Sequence, residues 1–141
     1  MTKVDFYLLD ASGDSRERIA CRLAEKAWRL GNRVYLLAPD KPAALELDEL
    51  LWTFSQNSFV PHALCAPNGD VEDHPVLIGH NEPPDALHDV LISLAAEVPT
   101  WFSRFARVAE VVGTDEEDKM RGRERFRFYR ERGYPLETHN L

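Results

Sequence analysis

Two cysteines in 141 residues, Cys21 and Cys65, form no CxxC pair, which excludes a disulfide framework and a zinc site built on paired thiolates. Cys21 lies among Ile19, Ala20 and Leu23 and reads as a small core residue rather than a reactive thiol. No apolar run approaches the roughly 20 residues needed to cross a bilayer. The opening MTKVDFYLLD places Asp5 and Asp10 on either side of a run too short for a secretory signal. A reducing cytoplasm is the expected compartment.

Catalytic and cofactor signatures are equally scarce. There is no GxGxxG, no P-loop and no GxSxG elbow. The first turn between an expected strand and helix reads LLDASGDSRER, so Asp10 and Asp14 stand where a phosphate needs glycine amides or a lysine. The five histidines, His62, His74, His80, His88 and His139, make no HExxH and no i, i+4 pair. They read as solvated or capping groups, and no metal or cofactor is expected. Binding other proteins, without catalysis, is the function class left.

What is present is an ordinary globular composition. Hydrophobic residues at 44% and charged residues at 29% suit one packed domain spanning residues 1–141. The net charge of −7 is uneven. Residues 119–132 carry seven cations (Lys119, Arg121, Arg123, Arg125, Arg127, Arg130, Arg132) against Glu124 and Glu131, a net of +5, which leaves −12 for the rest. An acidic body argues against general affinity for nucleic acid or membrane, and one basic segment suggests a local anion-docking site.

Apolar runs predict strands at Val4–Leu9, Arg33–Ala38, Val76–Gly79, Asp89–Leu94 and, last, Val108–Val112. Helical spacing of Ile19, Leu23, Ala27 and Leu30 predicts a helix over Asp14–Leu30, stopped by Gly31. Asp40 is placed to cap a second helix, from near Pro42 through Leu51. Thr100 is placed to cap a short helix carrying Trp101, Phe102 and Phe105, and Thr114 a long one with Glu117 at capping-box spacing. Residues 66–73 read as a polar loop. Strands alternating with helices imply an α/β fold: a Rossmann-like, mainly parallel sheet with helices on both faces and no nucleotide-binding motif.

Two segments ask for more than packing. In residues 50–62, LLWTFSQNSFVPH, Trp52, Phe54, Phe59 and Val60 are interleaved with polar residues in what should be a helix end and a loop, a pattern that favours a protein interface. On the last helix, Lys119, Arg123, Phe126, Arg127 and Arg130 follow i, i+4, i+7, i+8 and i+11 and share one face. Cations around an aromatic suit a ligand with both a carboxylate and an apolar side chain, since the arginine fork binds carboxylate bidentately. Direct single-stranded nucleic-acid binding by this basic helix is the alternative, and the acidic remainder weighs against it.

Six pieces carry a resemblance that runs nearly end to end: FYLLD (6–10), AEKAWRLGNRV (24–34), LDELLW (47–52), SFVPH (58–62), DVLISL (89–94) and RERFRFYRERGY (123–134). In order and spacing the chain resembles the chi subunits of bacterial DNA polymerase III holoenzyme. The resemblance implies a non-catalytic clamp-loader accessory subunit with two partners: a small psi subunit, and the acidic C-terminal tail of single-stranded DNA-binding protein. That tail ends in a phenylalanine with a free carboxylate. Matched by position, the psi-facing aromatics fall on Trp52 and Phe59, and the tail-binding residues on Val112, Lys119, Arg123, Phe126 and Arg127. Phe126 and Arg127 stand where the family suggests tyrosine and lysine, keeping shape and charge without the hydroxyl. Met120, Phe128 and Tyr129 are expected to anchor the helix.

Overall fold

The computed structural model describes residues 1–11, 13–65 and 74–141. In chain order these form β1 (Lys3–Leu8), α1 (Arg16–Arg29), β2 (Val34–Leu37), α2 (Lys41–Thr53), β3 (His62–Leu64), β4 (Val76–Gly79) and β5 (Val90–Ser93). A 3-10 turn (Phe102–Arg104), β6 (Arg107–Val112), α3 (Glu116–Glu131) and β7 (Leu136–Asn140) follow. Among the described residues, seven strands make one sheet in the order β3-β4-β2-β5-β6-β1-β7, and every pairing is parallel.

Parallel pairing buries a sheet on both faces, which is why β2, β4 and β5 are unbroken apolar runs, VYLL, VLIG and VLIS, with every residue except Gly79 and Ser93 apolar. On one face α1 and α2 cover Val34, Leu36, Val76, Ile78, Ile92 and Val111. On the other, α3 and the 3-10 turn cover Val4, Phe6, Tyr35, Leu91, Val108 and Val112. Helix starts obey their caps: the Ser15 hydroxyl accepts from the Arg18 amide at 3.2 Å, and the Asp40 carboxylate from the Ala43 amide at 2.9 Å. Gly31 ends α1 with φ of 91°, a backbone conformation that a side chain resists. Cys21 is buried on α1, and burial pushes its thiol up to about 12, so it is the inert core residue its neighbours suggested.

Several expectations need correction. Val108–Val112 is not the last strand: β7 follows α3 and pairs with β1, its entry held by the Val4 amide donating to the Pro135 carbonyl at 2.9 Å. The segment after α2 is not loop throughout, since β3 begins at His62. The short helix at residues 101–105 is a single 3-10 turn without a side-chain cap, so Thr100 does not cap it. The cap of α3 is Asp115 rather than Thr114; its carboxylate accepts from the Asp118 amide at 2.8 Å, one residue later than the capping-box spacing indicated. Phe54 and Val60 belong to the core at 3% and 1% exposure. Tyr129 anchors α3, but Met120 points outward at 48% exposure. His62 is neither solvated nor a cap, as it is buried at the start of β3. The polar loop read at residues 66–73 lies outside the described residues.

Candidate docking surfaces

Helix α3 lies against β6 at an unusually short approach. A Cβ on Gly122 would meet both γ-methyls of Val112 at 3.0 Å, so glycine lets the helix backbone rest on that side chain. Beside this contact, between α3 and the carboxyl ends of β1 and β6, lies a cavity of ≈ 390 Å³. Its apolar wall comes from Phe6, Leu8, Leu9, Val112 and Phe126, with Thr138 of β7 closing one side. Phe126 meets Phe6 edge-on, ring centroids 5.2 Å apart, and so stands as a fixed wall.

The rim is cationic. Lys119 and Arg123 line the cavity, and Lys119 has only a loose contact to Glu116 at 4.0 Å. Arg123, Arg127 and Arg130 are exposed and make no ion pair among the described residues. Four of the five residues matched to the tail site, Val112, Lys119, Arg123 and Phe126, therefore line one cavity. The fifth, Arg127, sits a helical turn beyond Arg123, outside the lining. Phe6, Leu8, Leu9, Gly113, Gly122 and Thr138 were missed as site residues. The β1 apolars read as core, Gly122 is visible only once packing is known, and Thr138 belongs to the missed strand.

Next to this cavity, sharing Leu9 and Gly113, a second of ≈ 330 Å³ opens between the amino ends of α1 and α3. It is the position where nucleotide-binding α/β proteins cradle phosphate. Here Asp10, Asp14, Glu17, Asp115 and Asp118 line it, with Arg16 as the one cation among the described residues of the lining, itself paired with Glu17 and Asp118. The acidic first turn thus joins further carboxylates from α3.

The second surface lies at the opposite edge of the sheet. Trp52 at the end of α2 and Phe59 before β3 are 53% and 59% exposed, with ring centroids 5.7 Å apart. Trp52 rests on His62 at 4.6 Å between ring centroids. His62 is held by two carbonyls, with Nδ1 2.6 Å from that of Val60 and Nε2 3.0 Å from that of Asp48. A buried imidazole thus supports an exposed indole. Leu45 lies two turns before Trp52 on the same helix face at 47% exposure, and Glu46 and Glu49 border it.

The family model for "DNA polymerase III chi subunit, HolC" matches residues 1–137. The chain belongs to this family. It is 45% identical to the DNA polymerase III subunit chi of Pseudomonas aeruginosa, over all of this chain and 98% of that one. It is 35% identical to that of Escherichia coli, over 98% of this chain and 97% of the other, and 34% to that of Haemophilus influenzae, over 96% and 95%. Membership makes it an accessory component of the polymerase III holoenzyme, acting in DNA replication. In fold it is similar to a crystal structure of T4 UvsW, with a TM-score of 0.66 over 99% of this chain and 42% of that one at 10% identity. That likeness concerns the α/β architecture alone. Among the described residues, no helix of this chi-family chain is long and apolar enough to cross a membrane.

Proposed function

We propose that this chain tethers the polymerase III clamp loader to template coated by single-stranded DNA-binding protein. In this reading the cavity beside α3 takes the acidic C-terminal tail of that protein, and the Trp52–Phe59 surface takes a psi-type subunit. The observation that carries it is the pairing of an apolar cavity with two cations at its rim, Arg123 without an ion pair among the described residues and Lys119 held only loosely by Glu116. A terminal phenylalanine needs both: apolar walls for the ring, and Lys119 with Arg123 for its carboxylate. Hydrogen bonds to charged groups contribute about 1.5–3 kcal/mol each and a buried phenyl about 1.5–3 kcal/mol. Two of the former with one of the latter come to about 4.5–9 kcal/mol before the cost of association, and only the upper end of that range reaches micromolar binding.

The exposed indole and phenyl pair, supported from beneath, suits an interface anchor. The surfaces belong to opposite ends of the strand order, four to six strand spacings apart, on the order of 20–30 Å. Two partners would then bind together without colliding. Direct recognition of bare strands fits less well. Where the sheet carries the stacked Tyr7–His139 pair, the nearby cations Lys3 and Arg107 are already paired with Glu137 and Asp5, and a phosphate would have to displace those carboxylates.

The test is fluorescence anisotropy of a labelled peptide copying the tail of the organism's single-stranded DNA-binding protein, beside the same peptide lacking its last phenylalanine. Saturable binding of the first alone supports the reading. Equal binding of both, or of neither, refutes it.

A further inference from the structure

Between α3 and β6 lies a polar network that the docking surfaces do not touch. Glu110, two residues before Val112 on the same face of β6, is 0% exposed. Its Oε1 accepts from Arg125 Nε at 2.9 Å and its Oε2 from the Tyr129 hydroxyl at 2.7 Å. Arg125, itself 5% exposed, donates a further bond at 2.9 Å to the Ala96 carbonyl after β5. One carboxylate thus ties α3 to its strand, and its arginine ties both to the neighbouring segment. Burial pushes the Glu110 carboxyl above its ordinary range, and Arg125 and Tyr129 offset only part of that rise.

The network occupies the place where a helix normally carries aliphatic side chains. The buried residues of α3 are Gly122, Arg125 and Tyr129, spaced i, i+3 and i+7. Glycine offers no knob to stop the helix turning, and the edge-on contacts of Phe126, Phe128 and Tyr129 with Phe6 and Phe102 hold over a range of ring separations. Hydrogen bonds are stricter in direction. The line beside this one, Lys119, Arg123 and Phe126 at i, i+4 and i+7, is the one that lines the cavity. A rotation of α3 by about 20° would carry groups at its periphery roughly 2 Å, enough to break a carboxylate contact.

We propose that Glu110 is a positioning residue: through Arg125 and Tyr129 it fixes the rotation of α3 and so the placement of Arg123 and Phe126 for a carboxylate-terminated ligand. This rests on the tail-binding reading above. It separates positioning from stability, because a buried ion pair replaced by apolar side chains of like volume is often neutral or stabilising.

The test is the triple variant Glu110→Leu, Arg125→Met and Tyr129→Phe, which leaves no buried hydroxyl orphaned, compared with wild type by melting temperature, anisotropy of the tail peptide, and NOEs between the Phe6 and Phe126 rings. The expected result is a melting temperature close to wild type, at least fivefold weaker peptide binding, and loss of the wild-type NOE pattern. Unchanged affinity and NOEs in the folded triple variant would overturn the proposal. Should that variant not fold, Arg125→Lys keeps the charge and loses the fork, and the same two readouts decide. If wild type binds no peptide, the tail reading falls, while the Phe6–Phe126 NOEs still report whether Glu110 sets the helix.

Discussion

Removing one cation from the cavity rim separates a built carboxylate site from diffuse attraction. Arg123 is exposed, lines the cavity and makes no ion pair among the described residues, so Arg123→Ala takes nothing from the folded protein that holds it together. Surface changes of that kind stay within about 0.5 kcal/mol, which for a chain of this size is a melting shift below about 3 °C. Binding should respond otherwise. A hydrogen bond to a carboxylate is worth about 1.5–3 kcal/mol, and 1.4 kcal/mol is tenfold, so the dissociation constant should rise by about 10- to 150-fold. The assay is anisotropy of the tail peptide at two salt concentrations, with Arg130→Ala as control, since Arg130 lies two turns beyond Arg123 and outside the cavity lining. A loss below threefold for Arg123→Ala, or an equal loss for Arg130→Ala, would mean that the peptide senses only the overall charge of α3.

Other perturbations follow from the same geometry. Trp52→Ala with Phe59→Ala should leave tail binding within twofold while a psi-type subunit loses affinity in size exclusion or calorimetry; melting should fall modestly, because both rings are more than half exposed but Trp52 covers His62. Phe126→Ala should abolish measurable tail binding and also lower stability by about 1–2 kcal/mol in urea, because the ring packs against Phe6. Burial opposes ionisation of Asp5, but hydrogen bonds from His139 and Arg107, with Lys3 nearby, outweigh it and hold the carboxyl below its ordinary range. A depressed folded-state pKa adds stability above the unfolded value near 4, lost as pH falls through the folded value. Asp5→Asn should therefore lower the melting temperature at pH 7, and the difference from wild type should close as pH falls below about 4.

Much of this architecture is legible in the residues, and the failures have physical causes. β2, β4 and β5 announce themselves because a strand buried on both faces must be apolar throughout. β7 does not, since it is an edge strand whose LETHN sequence faces solvent on most positions, and backbone pairing to β1 defines it. β3 is three residues long and follows a proline. The cationic line of α3 is visible from helical spacing alone, and so is the aromatic excess near Trp52. Which of those aromatics are exposed is not, because Phe54 and Val60 alternate inward with Trp52 and Phe59 outward only once α2 and β3 are placed. Nor does spacing distinguish Arg125 from its neighbours. The fold alone reveals that this arginine faces Glu110 in the interior rather than solvent.

The most direct measurement for the tail site is a chemical-shift map of the backbone amides of this chain on addition of the tail peptide. A site beside α3 requires the largest changes to cluster at Val112, Gly113, Lys119, Gly122, Arg123, Phe126 and Thr138, with residues near Trp52 and Phe59 unmoved. Changes centred on Trp52 and Phe59, or spread evenly over all exposed arginines, would contradict it.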